Sequence, residues 1–280
     1  MSHIKISEIF YSLQGEGRFM GVPSIFLRTF GCNFRCRGFG MQNGELSTEA
    51  LDLAKSASLY TSYNLLPLVT TGCDSYAAIY PQFKHLSPAM STDEIVDRMI
   101  ALLPNGEWGG VHLVITGGEP LLPGWQQIYP ELLRHPKLAD LKNITFETNG
   151  TQELLNTFED YLYQERRYQT TFSISPKLSV SGEPREKAIR PEIVTEYQFS
   201  GHGSYLKFVV ASEDDVTEAL EVMQLYKDKG FKGEIYLMPV GGVTEVYNLN
   251  NQRVAELALQ HGLRYSDRLH LPLFGNNWGT

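Results

Sequence analysis

Cys32, Cys36 and Cys73 are the three cysteines of this 280-residue sequence. The first two lie in Gly31-Cys32-Asn33-Phe34-Arg35-Cys36 and the third in Gly72-Cys73-Asp74-Ser75. Three thiolates are one short of a closed four-ligand metal site. A cubane iron–sulfur cluster held by three cysteines leaves one iron open to a substrate, which makes the cluster a reagent and not a strut. Zinc is the alternative, and no fourth ligand lies at zinc spacing. The second candidate is Thr116-Gly117-Gly118-Glu119-Pro120, which follows the apolar run His112–Thr116. Its two glycines let a ligand approach the backbone closely, and Glu119 puts a carboxylate at the strand's carboxyl edge, where parallel α/β folds bind ligands. The plainer reading of the same residues is a tight strand-to-helix turn with a solvent-facing glutamate.

Short β-branched and aromatic runs supply the elements that would hold these groups. Strands are expected at Ser24–Thr29, His112–Thr116, Asn143–Glu147, Thr171–Ser175, Tyr205–Val210 and Glu234–Pro239, with a last one near Arg264–His270. Ser91-x-x-Glu94 is a capping box for a helix over Thr92–Leu103, and Asp214–Lys229 and Asn251–His261 read as amphipathic helices. Gly230 and Gly262 fall where those helices would stop. Strands alternating with helices predict an α/β fold with a parallel sheet wrapped by helices. About six units are too few for a closed eight-stranded barrel. An open, partial parallel β/α barrel is therefore expected, as one domain over residues 1–280.

Composition bounds the function. Hydrophobic residues make up 42% of the chain, enough to bury a sizeable core, and the net charge of −8 argues against non-specific nucleic-acid binding. No run approaches the roughly 20 apolar residues of a membrane span. Met1-Ser2-His3-Ile4-Lys5 lacks the form of a signal peptide, and an odd, low cysteine count suits a reducing cytoplasm. Residues 37–72 break the strand–helix rhythm. Thr48–Tyr60 reads as a short helix between glycine-rich loops, so the segment is expected to be an insertion between two ligand cysteines that folds locally.

The cysteines and the Gly-Gly-Glu-Pro together resemble the radical S-adenosylmethionine (SAM) enzymes. Their hallmark is a Cys-x3-Cys-x2-Cys loop with that turn downstream. The N-terminal stretch narrows the resemblance. Residues 8–17, Glu-Ile-Phe-Tyr-Ser-Leu-Gln-Gly-Glu-Gly, and 21–33, Gly-Val-Pro-Ser-Ile-Phe-Leu-Arg-Thr-Phe-Gly-Cys-Asn, resemble the 7-carboxy-7-deazaguanine synthase family. Further matches are Glu147-Thr148-Asn149-Gly150, Ser175-Pro176-Lys177, Leu206–Val210, Met238-Pro239 and Arg268-Leu269-His270. The resemblance covers nearly the whole chain outside residues 37–72.

It implies a lyase that rearranges 6-carboxy-5,6,7,8-tetrahydropterin to 7-carboxy-7-deazaguanine with loss of ammonia, in a 7-deazapurine (queuosine-type) pathway. Cys32, Cys36 and Cys73 would hold a [4Fe-4S] cluster whose open iron chelates SAM. An electron from the low-potential cluster would break the C5′–S bond, and the resulting radical would remove hydrogen from C6 of the pterin. Gly117, Gly118 and Glu119, with Glu147, Thr148, Asn149, Ser175 and Lys177, would bind SAM. Leu13, Gln14, Gly15 and Glu16 would line the pterin edge, with Lys207 and His270 on the far side. Arg28 would pair with the substrate carboxylate, since a planar guanidinium suits bidentate pairing, and strand alternation puts Phe26 and Phe30 on its face. Ser75 would bind Mg2+. An external electron donor and a homodimer are further expectations, with no membrane and no direct nucleic-acid contact.

The chain departs from the family pattern in three places. Residues 37–72 interrupt the cysteine loop, Gly72 replaces the aromatic usual before the third cysteine, and Ser75 replaces a threonine. Phe39, Tyr60 and Tyr63 are candidates for the displaced aromatic. A glycyl-radical-enzyme activase shares the cysteines and the Gly-Gly-Glu-Pro but needs no pterin edge. A degenerate relative with a binding role is the non-enzymatic alternative.

Overall fold

The computed structural model describes residues 3–280 except 43, 166 and 200–202, and of Phe199 only the backbone. Nine strands form one sheet. They are β1 (His3–Leu13), β2 (Pro23–Thr29), β3 (Ala89–Ser91), β4 (His112–Gly117), β5 (Asn143–Thr148), β6 (Gln169–Ile174), β7 (Gly203–Val210), β8 (Glu234–Pro239) and β9 (Arg264–Tyr265). Their order is β3-β1-β2-β4-β5-β6-β7-β8-β9. From β2 to β9 every pairing is parallel, while β1 runs antiparallel to both β2 and β3. This is the expected open α/β sheet with helices in the crossovers, extended at one edge by an antiparallel pair.

Alternation along the strands decides what lies on each face. On one face Ile25, Leu27, Ile144, Phe146, Leu206, Phe208 and Leu237 join the main apolar core with the covering helices. On the other, Phe26, Arg28, Glu147, Lys207, Val209 and Met238 line a common cavity. Residues from seven strands reach that one space, so the sheet curves around it. Phe10, Phe26 and Val114 form a small separate apolar cluster, in which Phe10 and Phe26 stack at 4.8 Å and line the cavity.

The 11-residue β1 was not expected. Its register shifts between Ile6 and Glu8. The bulge sends Ile4, Ile6 and Ile9 to the core and Glu8 and Phe10 to the cavity, so no single two-residue period marks the strand. At the other end, β9 stops at Tyr265 and His270 opens a short helix, His270–Phe274, which corrects the expected strand through His270. Pro272 is tolerated there because the first helical turn has no intrahelical N–H bond to lose. The expected helices are present at Thr92–Leu102, Glu213–Asp228 and Thr244–His261. Ser91 and Glu94 form the capping box, with Glu94 N–H donating to Ser91 Oγ at 3.2 Å and Ser91 N–H to Glu94 Oε2 at 2.7 Å.

Residues 37–72 carry the helix Glu49–Lys55 and two short 3-10 turns. Ala50, Ala54, Ala57, Tyr63, Leu66 and Val69 pack with Tyr76, Ile79, Tyr80 and Phe83 as a second apolar cluster. No helix among the described residues is long and apolar enough to cross a membrane.

Candidate active site

The cysteine loop follows β2. Cys36 adopts a left-handed φ of 49°, a conformation that costs a non-glycine residue roughly 1–2 kcal/mol and so must be held from outside. Glu183 holds it: one carboxylate oxygen accepts from both Arg35 N–H and Cys36 N–H, each at 2.7 Å. Phe34 N–H donates to Cys32 Sγ at 3.4 Å.

Cys73 arrives from the far end of residues 37–72, whose neck is zipped shut. Gly72 N–H donates to Phe39 O at 2.7 Å and Ser47 N–H to Arg37 O at 2.8 Å. The Glu49 carboxylate accepts from Thr70 N–H at 2.7 Å and from both threonine hydroxyls, that of Thr71 at 2.9 Å. A Cβ on Gly72 would lie 4.0 Å from Arg37 Cα. Arg37 and Gly72, far apart in sequence, thus stand side by side like the two residues of an uninterrupted Cys-x2-Cys step. The same neck puts Phe39 next to Cys73, where it lines the cavity, whereas Tyr60 and Tyr63 do not.

The Thr116–Pro120 turn packs directly on this loop. A Cβ on Gly118 would meet Gly31 O at 2.2 Å and Cys32 Cβ at 2.7 Å, and Gly117 has φ +149°. Glycine is required at 118 by that contact and at 117 by Thr29, whose carbonyl oxygen would lie 2.4 Å from a Cβ. Glu119 N–H donates to Gly31 O at 2.8 Å. The Glu119 carboxylate is fully buried and lies behind the cavity wall. It accepts from Leu121 N–H at 2.9 Å, Thr148 Oγ1 at 2.8 Å and Asn149 N–H at 2.7 Å. It therefore latches the end of β4 to the end of β5, and Thr148 and Asn149 are what that latch presents to the cavity.

All three cysteines line a cavity of about 250 Å³ together with Leu13, Gln14, Gly15, Glu16, Arg28, Ser75, Gly117 and Gly118. Glu147, Thr148, Asn149, Ser175, Lys177, Lys207 and His270 line it as well. Of the residues expected to hold the cluster, SAM, Mg2+ or the pterin, Glu119 alone among these described residues stands outside. Phe30, expected on the face of Arg28, lies beyond the end of β2 and does not reach the cavity. Among the described residues no three His, Cys, Asp or Glu side chains are grouped around one metal-ion position.

Charge pairs fill the cavity. Lys207 Nζ is paired with Glu16, and Gln14 Nε2 donates to Glu147 Oε1 at 3.1 Å. Burial opposes charge on Glu16, but Lys207 and Arg268 overcome it and hold the carboxyl well below the usual range. Arg28 Nε donates to Glu8 at 2.9 Å and its Nη1 to Ser75 Oγ at 2.9 Å. His270 is pushed down to about 4 by burial and by Arg268, so it is a neutral imidazole at neutral pH. Its ring rests on Gly15, where a Cβ would lie 2.1 Å from Nδ1.

Arg268, Asp74, Glu8 and Glu183 brace these groups, and no role was expected of them from the motifs in which Arg268, Asp74 and Glu8 stand. Arg268 donates to Glu16 Oε1 at 3.0 Å, to Asp74 Oδ2 at 2.5 Å and to Gly241 O. It ties the turn after β1 to the residue following Cys73. The only signal in the sequence was its place two residues before His270.

Burial pushes the Cys32 thiol up to about 11, with Glu119 adding to it, and the Cys73 thiol up to about 12, with Asp74 adding to it. Burial also raises Cys36, and the three are close enough to repel one another as thiolates. Lys177 is the cation that favours ionisation of all three. A set of largely desolvated, mutually repelling thiols ionises when a polycationic group shares the site, which is the donor chemistry an iron–sulfur cluster requires.

An open parallel sheet that gathers three cysteines and a Gly-Gly-Glu-Pro turn at its carboxyl edge defines a radical SAM protein. The comparisons with known proteins narrow this. The chain is 30% identical to the 7-carboxy-7-deazaguanine synthase of Halobacterium salinarum, over 98% of its own length and 91% of that protein. It is 68% identical to the synthase of Rhodospirillum rubrum over 78% of its length and 63% of that protein. Its fold is similar to the crystal structure of QueE from Escherichia coli, with a TM-score of 0.53 at 21% identity, covering 96% of this chain and 95% of that one. No family model matches. The chain belongs to the 7-carboxy-7-deazaguanine synthase family.

Proposed function

We propose that this chain converts 6-carboxy-5,6,7,8-tetrahydropterin to 7-carboxy-7-deazaguanine with release of ammonia, as one domain in which residues 37–72 are an insertion. The observation that carries this reading is the closed neck of that insertion, because it keeps Cys73 with Cys32 and Cys36 on the cavity that also holds Gln14, Glu16 and Arg28. Cys32, Cys36 and Cys73 would hold a [4Fe-4S] cluster, with Gly117, Gly118, Thr148, Asn149, Ser175 and Lys177 around SAM. When bound, these two groups supply a reducing electron and a 5′-deoxyadenosyl radical.

The remaining work belongs to the protein. Gln14 and Glu16 are held rigid by Glu147, Lys207 and Arg268, so they meet the amide and amidine edge of a pterin without reorganising. Arg28 meets the substrate carboxylate with the guanidinium edge that Glu8 leaves free. Neutral His270 can accept or donate one hydrogen bond at each ring nitrogen. Phe10 and Phe26 provide the apolar floor. Ser75 would give Mg2+ a single protein oxygen, which suits an ion that keeps most of its waters. An external one-electron donor, a homodimer and a cytoplasmic location complete the reading. The charged cavity, lined by Gln14, Glu16, Arg28 and Lys207, suits a small polar ligand better than the protein loop an activase would admit.

Anaerobic turnover of the reconstituted protein with the carboxypterin, SAM and Mg2+ should produce the deazapurine chromophore. Reductive cleavage of SAM with the carboxypterin left unchanged would rule the reading out. The neck has its own consequence. Glu49→Ala removes the four hydrogen bonds that join helix Glu49–Lys55 to Thr70 and Thr71, at a cost of about 1–2 kcal/mol. Iron release to a chelator should quicken several-fold in this variant, while circular dichroism at room temperature stays unchanged.

A further inference from the structure

The segment after helix His270–Phe274 makes contacts that neither the motifs nor the proposed reaction explain. Asn276, Asn277, Trp278, Gly279 and Thr280 all line the cavity. Trp278 leaves the main core and packs on the second apolar cluster, the one built largely from the insertion. Its ring lies 5.4 Å from Tyr63 and 5.7 Å from Tyr76, the latter edge-on. Asn276 Nδ2 donates to Gly242 O at 2.7 Å and ties the segment to the loop after β8.

The next residue reaches the substrate side. Gly279 lines the cavity with Glu8 and Arg28, and the Glu8 carboxylate accepts from Arg28 Nε at 2.9 Å. Burial raises the Glu8 carboxyl, and Arg28 and the Gly279 amide oppose that rise. The Gly279 backbone thus stands at the carboxylate that holds Arg28. Tyr63 braces the same region from below: its hydroxyl shares a 2.8 Å hydrogen bond with Ser87 Oγ, which is 3.2 Å from Ser7 Oγ, beside Glu8.

We propose that the insertion serves as the dock for residues 275–280, with Trp278 as its anchor, and that this docking positions Arg28 through Gly279 and Glu8. Trp278 is thus a positioning residue that acts on the substrate-carboxylate end of the cavity. The geometry gives the insertion a role within this chain. The kinetic part of the proposal rests on the function proposed above; the docking itself does not.

Two measurements test it. Hydrogen exchange of the unloaded protein reads the docking: amides of 275–280 should exchange at least about tenfold faster in Trp278→Ala and in Tyr63→Ala, and at the parent rate in Trp278→Phe, which keeps an aromatic ring in the cluster. Steady-state kinetics reads the positioning: Trp278→Ala should raise KM for the carboxypterin about tenfold, the size of one weakened hydrogen bond to a charged group, with kcat and the KM for SAM within about twofold. Trp278→Phe should restore KM, and Tyr63→Ala with Trp278→Ala should be no worse than Trp278→Ala alone. Unchanged exchange in Trp278→Ala overturns the docking. An unchanged KM, or a loss of kcat and iron content matching the rise in KM, overturns the positioning. Should the parent protein fail to convert the carboxypterin, the proposed function falls while the exchange result still decides the dock.

Discussion

Cys73→Ala is expected to yield a folded protein that no longer reconstitutes a full [4Fe-4S] cluster and no longer cleaves SAM. Cys73 is only partly buried, at the junction of two apolar clusters, so loss of its sulfur leaves both cores filled. What disappears is the ligand that the zipped neck delivers to the cavity. Activity should fall far more than the roughly 10–100-fold typical of residues that merely support metal ligands. Iron and sulfide analysis after anaerobic reconstitution, alongside 5′-deoxyadenosine formation, checks this. A variant with full iron content and undiminished SAM cleavage would show that the three thiols do not form one site. Ser75→Ala is the natural contrast: it should keep the cluster and weaken only the dependence on Mg2+.

Arg268→Met should give the largest loss of stability. The guanidinium is the shared partner of Glu16 and Asp74, both half-buried carboxylates held below their ordinary values of 4.5 and 3.8. Methionine fills much of the space but leaves Asp74 with no cation at contact distance. Breaking a fully buried ion pair from one side typically costs about 3–5 kcal/mol, and the partial exposure of Asp74 together with the Lys207 that Glu16 keeps puts the loss here at or below the lower end of that range. The pH dependence has a definite sign. A carboxyl whose folded value is depressed contributes stability that is present above its unfolded value and lost as pH falls through the folded one. The deficit of Arg268→Met should therefore be full at pH 7 and shrink in acid below those ordinary values, where the parent protein loses the same contribution. Urea titrations of both proteins at neutral and acid pH measure it. Equal stability at pH 7 would mean that Arg268 is not the hub that its three contacts describe. Arg268→Lys should recover only part of the loss, because an ammonium cannot hold two carboxylates and Gly241 O in one plane.

The pterin edge was readable in the sequence because its chemistry is local. Gln14, Gly15 and Glu16 are consecutive, and the turn after β1 presents them together. Thr116–Pro120 was readable for the same reason, although the part Glu119 plays was not. A carboxylate in that turn can face solvent, a ligand or the next strand, and only the packing of β4 beside β5 decides among them. β1 itself escaped notice because a bulge breaks its alternation. Glu8 was visible as part of a motif but not as the partner of Arg28, since a cross-strand pair depends on register.

The sequence by itself determined the alternating strands and helices, the residue types around the cavity and the family, because hydrophobic period and contiguous motifs survive in one dimension. It also marked residues 37–72 as foreign to the cysteine loop. Tertiary structure alone decided how that interruption is tolerated and what it touches. Closing the neck depends on Glu49 meeting Thr70 and Thr71, on Gly72 meeting Phe39, and on Arg268 meeting Asp74 across 194 residues of sequence. Such contacts join residues whose separation in sequence carries no periodic signal, so they exist only once the sheet has curved and brought its carboxyl edge around a single cavity.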